Sequence, residues 1–416
     1  MSAPLLDAAS PLSSLRIELR NGLADVDPAA WDALCPPGDP FSTHAFLLAL
    51  EESGAASPRA GWRPRHLLAW QGDALVGAVP LYEKDHSYGE YIFDFGWAQA
   101  CAAARVPYYP KLVAAIPFTP ATGGRLLVGA HPQAALIEDA LVQALLAARD
   151  QLRCHSLHLL FVRGPVHDRL AGAHGLIGRT TMQFHWENAG PDGQPYADED
   201  AWLATFRAKV RKETRRERRR PAERGAEVVV LQGAEIDATA WAALRGFYLD
   251  TVQKRGGEAY LPARFFTLAA ARLQHLSLAV MARRDGAWVA GSLCFHRGGE
   301  LFGRYWGCLP GEEALHFELC YHRPIALCIE RGWRRFEAGA QGIHKLRRGL
   351  LPAPTFSLHA LRHPGLASAV AEAVAEERAA VRAQVVSLRR HGPHHRADPA
   401  EDALPEIDGL QGVCDE

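Results

Sequence analysis

The run FEAGAQGIHKLRRGL, residues 336–350, gathers the side chains best suited to chemistry in this chain. An acid at a strand end, Glu337, is followed by two glycines, Gly339 and Gly342, interleaved with Gln341, His344, Lys345, Arg347 and Arg348. Such polar groups have little reason to cluster for packing, and loops carry function more often than stability. Glu337 or His344 is suited to take a proton from an amine, and Lys345 or Arg348 to neutralise an oxyanion or a phosphate. The same run also fits a surface turn of solvated charges.

Three other stretches offer partners for that loop. GRYWGCLPGEEALHFEL, residues 303–319, reads as a strand, a Gly/Pro turn and a helix. A glycine turn ahead of a helix presents unpaired N–H groups to an anion, which makes Arg304, Tyr305, Trp306 and Gly307 candidates for donor binding. YYPKLVAAIPFTPATGGRLL, residues 108–127, supplies Tyr108, Tyr109, Lys111, Phe118 and Thr119, with Asp94 and Trp97 just upstream. It suits an aromatic-walled substrate cleft and equally an irregular core loop.

The third stretch is FRAKVRKETRRERRR, with nine basic and two acidic residues between 207 and 220. Helical spacing puts Arg207, Arg211, Arg215 and Arg218 on one stripe and Lys209, Lys212, Arg216 and Arg219 on another. Trp202, Phe206 and Val210 form an apolar seam. Two glutamates cannot balance nine cations by i,i+4 pairing, so Lys209, Arg211, Arg215 and their neighbours are candidates for binding phosphate. The competing reading is packing against acidic protein, including the chain's own end. His316 with Cys320, and Glu318 with His322, have metal-ligand spacing but point to different helix faces, so no metal is expected.

These residues must be positioned by a chain of 416 residues with 46 Lys+Arg, 47 Asp+Glu and 48% hydrophobic residues, enough for two or three domains. The formal charge of −1 is a cancellation, since residues 397–416 hold seven acids and no Lys or Arg against a charge of +7 over 207–220. A disordered chain and a uniformly basic coat protein are excluded. There is no secretory leader pattern and no 18-residue apolar run, so a cytoplasmic protein without a membrane span is expected. The eight cysteines form no C-x-x-C pair, as in a reducing compartment.

A helix at 40–54, a hairpin over 66–82 turning at Gly72-Asp73 and an aromatic strand ending at Trp97 recur as a helix at 261–274, a hairpin over 277–295 turning at Asp285-Gly286 and an aromatic strand ending at Gly307. The recurrence predicts duplication of one α/β module. A helix over 132–151 and a buried strand over 156–162 follow in the first half; a helix over 315–331, kinked at Pro324, and a strand over 334–339 follow in the second. The Gly-, Pro-, Asp- and Asn-rich 188–200 reads as the interdomain linker. The expected domains are 1–190, 191–365 with the basic helix, and 366–416 with a helix to 390 and a disordered or draped acidic end.

The runs LHFELCYHRPIALCIERGWRRFEAGAQGIHKLRRGLLP, YYPKLVAAIPFTPATGGRLL and FRAKVRKETRRERR together resemble the bacterial FemAB-like N-acyltransferases, the peptidoglycan biosynthesis/recognition proteins, over about residues 15–365. Arg304 to Gly307 is also similar to the first part of the pyrophosphate loop of GNAT acyltransferases, with Leu309 at its sixth position. The F-K-x-x-F-G motif of FemABX enzymes is similar to the stretch from His344 to Leu350, which aligns Lys345 with the motif lysine and puts His344 in place of Phe.

The resemblance implies an α/β fold of tandem GNAT-like acyltransferase modules, each a mixed, mostly antiparallel sheet flanked by helices. It implies transfer of an acyl or aminoacyl group from acyl-CoA or aminoacyl-tRNA to an amine-bearing small molecule or peptide, with tRNA a partner in the second case. On that expectation Glu337, His344 and Lys345 are catalytic, while Gln341 and Arg348 bind substrate or donor. A non-catalytic protein of the same fold that recognises peptidoglycan fragments or RNA is the alternative.

Overall fold

The computed structural model describes residues 15–340 and 342–394, in two compact units. One comprises 15–181 with 354–381, the other 182–353 with 382–394. The division falls inside the strand Ile177–Glu187, whereas composition places it in the loop that follows. That loop is pinned within the second unit, because Asn188 Nδ2 donates to Trp333 O at 3.0 Å and its Oδ1 accepts from Tyr196 N at 3.0 Å. Turn-forming residues record where the backbone bends, not which core each side packs into. The acidic end beyond 394 lies outside the described residues.

In the first unit, Leu15–Arg20, His66–Gln71 and Ala74–Val79 form an antiparallel three-stranded sheet. Its hairpin turns at Gly72, whose φ of 60° is cheap only without a Cβ. Helix Ala134–Gln151 buries Ile137, Leu141, Leu145 and Ala148 on one stripe against that sheet. A Cβ on Gly77 would stand 3.0 Å from Ile137 Cγ2, so the glycine sets how closely strand and helix approach. A second sheet runs from Arg63–Pro64 through Leu81–Lys84, Lys111–Ala114 and Ser156–Val162 to the strand Leu351–Leu361, antiparallel except where Lys111–Ala114 meets Ser156–Val162.

The aromatic strand expected to end at Trp97 does not form. Tyr91 takes φ 63°, which no strand can carry, and a helix starts at Phe95 and runs to Ala104. Ile92 and Asp94 are buried while Phe93 and Phe95 are exposed, so the alternation is real but belongs to an irregular segment fastened by the Asp94 carboxylate.

In the second unit, Ile177–Glu187, Arg335–Glu337, Glu300–Cys308, Ala287–Arg297, Ser277–Arg284 and Glu227–Gln232 lie side by side, antiparallel except where Arg335–Glu337 meets Glu300–Cys308. The expected helix, hairpin and aromatic strand are all present here, as Ala263–Arg272, Ser277–Arg284 with Ala287–Arg297, and Glu300–Cys308. Helix Ala238–Lys254 buries Trp241, Leu244, Phe247 and Tyr248 on the sheet, each worth about 1.5–3 kcal/mol of apolar burial. The helix expected over 315–331 is composite. It widens to π spacing over Glu318–His322 and becomes α-helical over Arg323–Glu330, where Pro324 removes the N–H that an unbroken helix would give Cys320 O.

Both units are thus mixed, mostly antiparallel sheets flanked by helices. Helix Pro364–Arg390 begins in the first unit and ends in the second.

Candidate active site and basic helix

The parallel pairing of Glu300–Cys308 with Arg335–Glu337 stops at Phe302 opposite Glu337. Beyond it the longer strand continues, while the other chain turns away at Gly339 (φ 80°) and Gly342 (φ 108°) into the short helix Ile343–Arg348. Gly349 (φ 84°) ends that helix; a Cβ there would meet Trp202 at 2.6 Å, so the apolar seam ahead of the basic helix is what fixes the loop.

Lys345 is 1% exposed and donates from Nζ to Gly339 O at 2.6 Å, tying the loop across its own turn. Burial pulls its ammonium down to about 7, so near neutrality it exchanges a proton readily. His344 is half-buried, and its Nε2 lies 2.9 Å from the Tyr321 hydroxyl. Burial, then the charges of Arg348 and Lys345, hold this imidazole below its ordinary value, hence neutral at pH 7. His316, 5.9 Å from His344 between ring centres and 5.1 Å from Trp306, is pushed down to about 4, first by burial. Phe317 completes the wall, with the Arg348 guanidinium 3.2 Å from its ring centre.

Glu337 stands where the parallel pairing ends but is 2% exposed, 2.8 Å from Arg335 and 3.7 Å from His185. Its carboxylate is therefore engaged by a cation two residues away. Arg348 donates to Glu217 Oε1 at 2.8 Å, and His322 Nε2 lies 2.9 Å from Glu217 Oε2. Although burial opposes it, these two partners keep the Glu217 carboxyl below its ordinary value. Gln341 lies outside the described residues.

Arg304, Tyr305, Trp306 and Gly307 lie within the strand Glu300–Cys308, not in an anion-binding turn. The Gly/Pro turn follows them, with Gly311 at φ 88°. A Cβ on Gly307 would be 2.0 Å from Phe247 O, so this glycine serves the approach of helix to strand. Arg304 lies 5.4 Å from the Tyr305 ring centre, and Thr251 donates to Trp306 O at 2.8 Å.

The basic helix is Ala208–Glu223, and its two stripes differ. Arg207 donates to Gly392 O at 2.5 Å, Arg211 to Ala204 O at 3.4 Å and Arg215 to Asp200 at 2.7 Å, and Arg218 pairs with Glu199 and Glu318. Lys209, Lys212, Arg216 and Arg219 are exposed, and their side chains have no hydrogen bond or ion pair among the described residues. Of the expected phosphate binders, Lys209 sits on the open stripe and Arg211 and Arg215 on the engaged one.

The expected cleft of the first unit is a buried ion network. Lys111 Nζ donates to Asp94 Oδ2 at 2.5 Å, Ser87 Oγ at 2.8 Å and Glu90 Oε2 at 2.9 Å, while the Tyr108 hydroxyl donates to Asp94 at 2.5 Å. Asp94, Tyr108, Lys111, Phe118 and Thr119 are all at most 4% exposed. Tyr109 is half-buried, and its hydroxyl lies 2.8 Å from Ser87 Oγ. Burial raises Glu90 to about 7 and lowers Lys84, 3.6 Å away, to about 7. Phe118 packs on Trp62 at 5.5 Å between ring centres, and Thr119 bonds to Pro117 O.

Sequence reading missed the His158 and His359 pair beside this network, with Nδ1 atoms 2.7 Å apart and Ser156 and Ser357 at their outer nitrogens. It also missed His316, Phe317 and Tyr321 as one wall. Their i,i+1,i+5 spacing faces one way only through the π turn, and the metal-ligand spacing there has other uses: Glu318 meets Arg218 and His322 meets Glu217. Among the described residues no group of three His, Cys, Asp or Glu side chains could hold a metal ion. No described helix is long and apolar enough to cross a membrane.

The described chain is thus two mostly antiparallel sheets flanked by helices, and in the second unit a parallel pair of strands parts ahead of a lysine-bearing loop. Residues 22–396 match the FemAB-like family, described as peptidoglycan biosynthesis/recognition, and the chain belongs to that family. The crystal structure of FemX is similar over 83% of this chain and 98% of its own, with a TM-score of 0.52 and 12% identity. L-PGS from Bacillus licheniformis covers 78% of this chain and 95% of its own, with a TM-score of 0.47 and 12% identity. A tandem GNAT protein from the clavulanic acid biosynthesis pathway covers 84% and 99%, with a TM-score of 0.42 and 16% identity. Among curated proteins none matches the chain.

Proposed function

We propose that the protein is an N-acyltransferase that moves an acyl or aminoacyl group from a phosphate-bearing donor, acyl-CoA or aminoacyl-tRNA, to the amine of a cell-wall-related acceptor. The observation that carries this reading is Lys345, an almost fully buried ammonium brought down to about 7, on the loop that follows the parted strands and tied back to Gly339 O. In the reaction the amine nitrogen bonds to the donor carbonyl carbon, and the carbon–sulfur or carbon–oxygen bond to the leaving group breaks. His344 is neutral and half-exposed, which suits it better than Glu337 to take the amine proton. Lys345 in its protonated form offsets charge on the carbonyl oxygen, and the leaving group departs with a proton. The open cations of the basic helix hold the donor's phosphates. The acceptor is an amine-bearing small molecule or peptide.

A second reading, a non-catalytic binding protein, is favoured by the burial of Glu337 and its engagement by Arg335. Incubation of the purified protein with an acyl-CoA panel and with charged tRNA separates the two. A true donor at a hundred times its Kd stabilises the fold by about 2.7 kcal/mol and is consumed when an amine is added. Stabilisation without consumption across a broad amine panel supports the second reading, and stabilisation by neither donor class overturns the first.

A further inference from the structure

We propose that the acidic segment 397–416 docks on the open stripe Lys209, Lys212, Arg216 and Arg219 of its own chain and competes there with phosphate. Three observations carry this. Among the described residues the stripe is unpaired: the neighbouring stripe of the same helix is fastened to Gly392 O, Ala204 O, Asp200 and Glu199, while these four cations are exposed. Like charges at i,i+3 and i,i+4 repel along a helix face, so a counter-charge there is stabilising.

The second observation is where the acidic segment starts. The chain at 392–394 is bound to the foot of the basic helix: Arg207 N donates to Pro393 O at 2.9 Å, Thr205 Oγ1 lies 2.9 Å from His394 Nδ1, and Phe206 forms an antiparallel bridge with His394. The segment therefore leaves from a fixed point at the first turn of the helix it would cover.

The third is reach and charge. Arg219 lies about 17 Å along the axis from the helix start, at 1.5 Å per residue. An extended chain advances about 3.3–3.6 Å per residue, so five or six residues past His394 suffice to reach it. Asp398 falls within that range, Glu401 and Asp402 lie just beyond it, and 397–416 holds no Lys or Arg to oppose them. Attachment at the foot makes the contact intramolecular, with a high effective concentration that an external anion must overcome. The docking itself does not depend on the transferase reading; only the identity of the phosphate it displaces does.

A carbodiimide, which joins a lysine amine to a carboxylate with loss of water, tests this on the full chain with no donor present. Lys254 and Asp250, paired at 2.7 Å, provide an internal control. The expected result is a link from Lys209 or Lys212 to an acid in 397–416, within one chain and abolished by 1 M salt. Absence of that link while the control pair links overturns the proposal, as do links only between isotopically distinct copies.

Binding of inorganic polyphosphate supplies the second readout. Deleting 397–416 is expected to tighten it at least about fivefold at low salt, the difference vanishing at high salt. It should also vanish when all four stripe residues are changed to Gln; equal affinity with and without the segment at low salt overturns the competition. Failure of every acyl or aminoacyl donor leaves these outcomes unaffected.

Discussion

Glu217 of the basic helix holds Arg348 of the glycine-rich loop at 2.8 Å, with the guanidinium of Arg348 at the same time 3.2 Å from the Phe317 ring centre. The helix with the open cations and the loop with Lys345 are therefore joined through one carboxylate. Replacing Glu217 with Ala leaves a buried guanidinium without its acid, a loss of about 1.5–3 kcal/mol for a charged hydrogen bond. Amide hydrogen exchange should rise over 343–349 and stay unchanged over 277–284; a uniform rise across the unit contradicts the local link.

Lys345 makes a prediction that separates charge from packing. Its ammonium, brought down to about 7 by burial, is protonated below that pH and neutral above it. If it offsets charge in the reaction, kcat falls as pH rises through about 7, and Lys345→Arg moves that limb to higher pH. Lys345→Met is expected to lower kcat about 10²–10³-fold, the usual cost of a lost oxyanion donor. Stability should move the other way. A folded-state value below the unfolded 10.5 means that the unfolded chain binds the proton more tightly, so wild-type stability declines as pH falls from 10.5 to about 7, and Lys345→Met removes that decline. Loss of activity in step with loss of fold in this variant counts against a role in transfer.

The buried network around Lys111 predicts acid sensitivity in the first unit. Although burial opposes it, Lys111 holds the Asp94 carboxyl well below its usual range. That stabilisation is full above the unfolded value of 3.8 and is lost as pH falls below it. Lys111→Met leaves Asp94 without its lysine and Glu90 with only Lys84, 3.6 Å away, at a cost of about 3–5 kcal/mol. Denaturant midpoints measured as pH falls from about 5 to about 1.5 should show a steep acid decline in wild type and a much flatter one in Asp94→Asn.

The two stripes of the basic helix predict opposite mutational behaviour. Changing Lys209, Lys212, Arg216 or Arg219 to Gln should alter stability by no more than about 0.5 kcal/mol each. With single-stranded RNA, each lost phosphate contact lowers the slope of log affinity against log salt by about 0.7. Arg218→Gln, which breaks the contacts to Glu199 and Glu318, should cost stability and leave the slope nearly unchanged. Equal slopes for all five variants would remove the helix from phosphate recognition.

Much of the scaffold was legible because periodicity survives folding. The hairpins turning at Gly72 and Asp285-Gly286, the strand Ser156–Val162 and the helix Ala134–Gln151 form where their apolar spacing places them. The clustering of His344, Lys345 and Arg348 was legible too, since they share one short helix. What could not be read is what long-range contact decides. Asp94 is pulled into the interior by Lys111, which breaks the aromatic strand reading, and His158 meets His359 across 201 positions. Gly307 looked like an anion-binding glycine because its neighbour Phe247, sixty positions earlier, is invisible to local sequence.

The return of residues 354–381 to the first unit limits how this gene can be cut. The strand Leu351–Leu361 pairs with Ser156–Val162 from Phe356 opposite Val162 to Leu361 opposite Ser156. A fragment stopping in the Gly- and Pro-rich loop near 190 would carry Ser156–Val162, buried at all seven positions, as a bare apolar edge. Such an edge recruits strands from other copies, and inclusion bodies are the expected product. The halves are therefore not interchangeable cassettes. Recombination between relatives that preserves folding must carry the stretch from 354 to 381 together with the N-terminal portion, or leave both untouched.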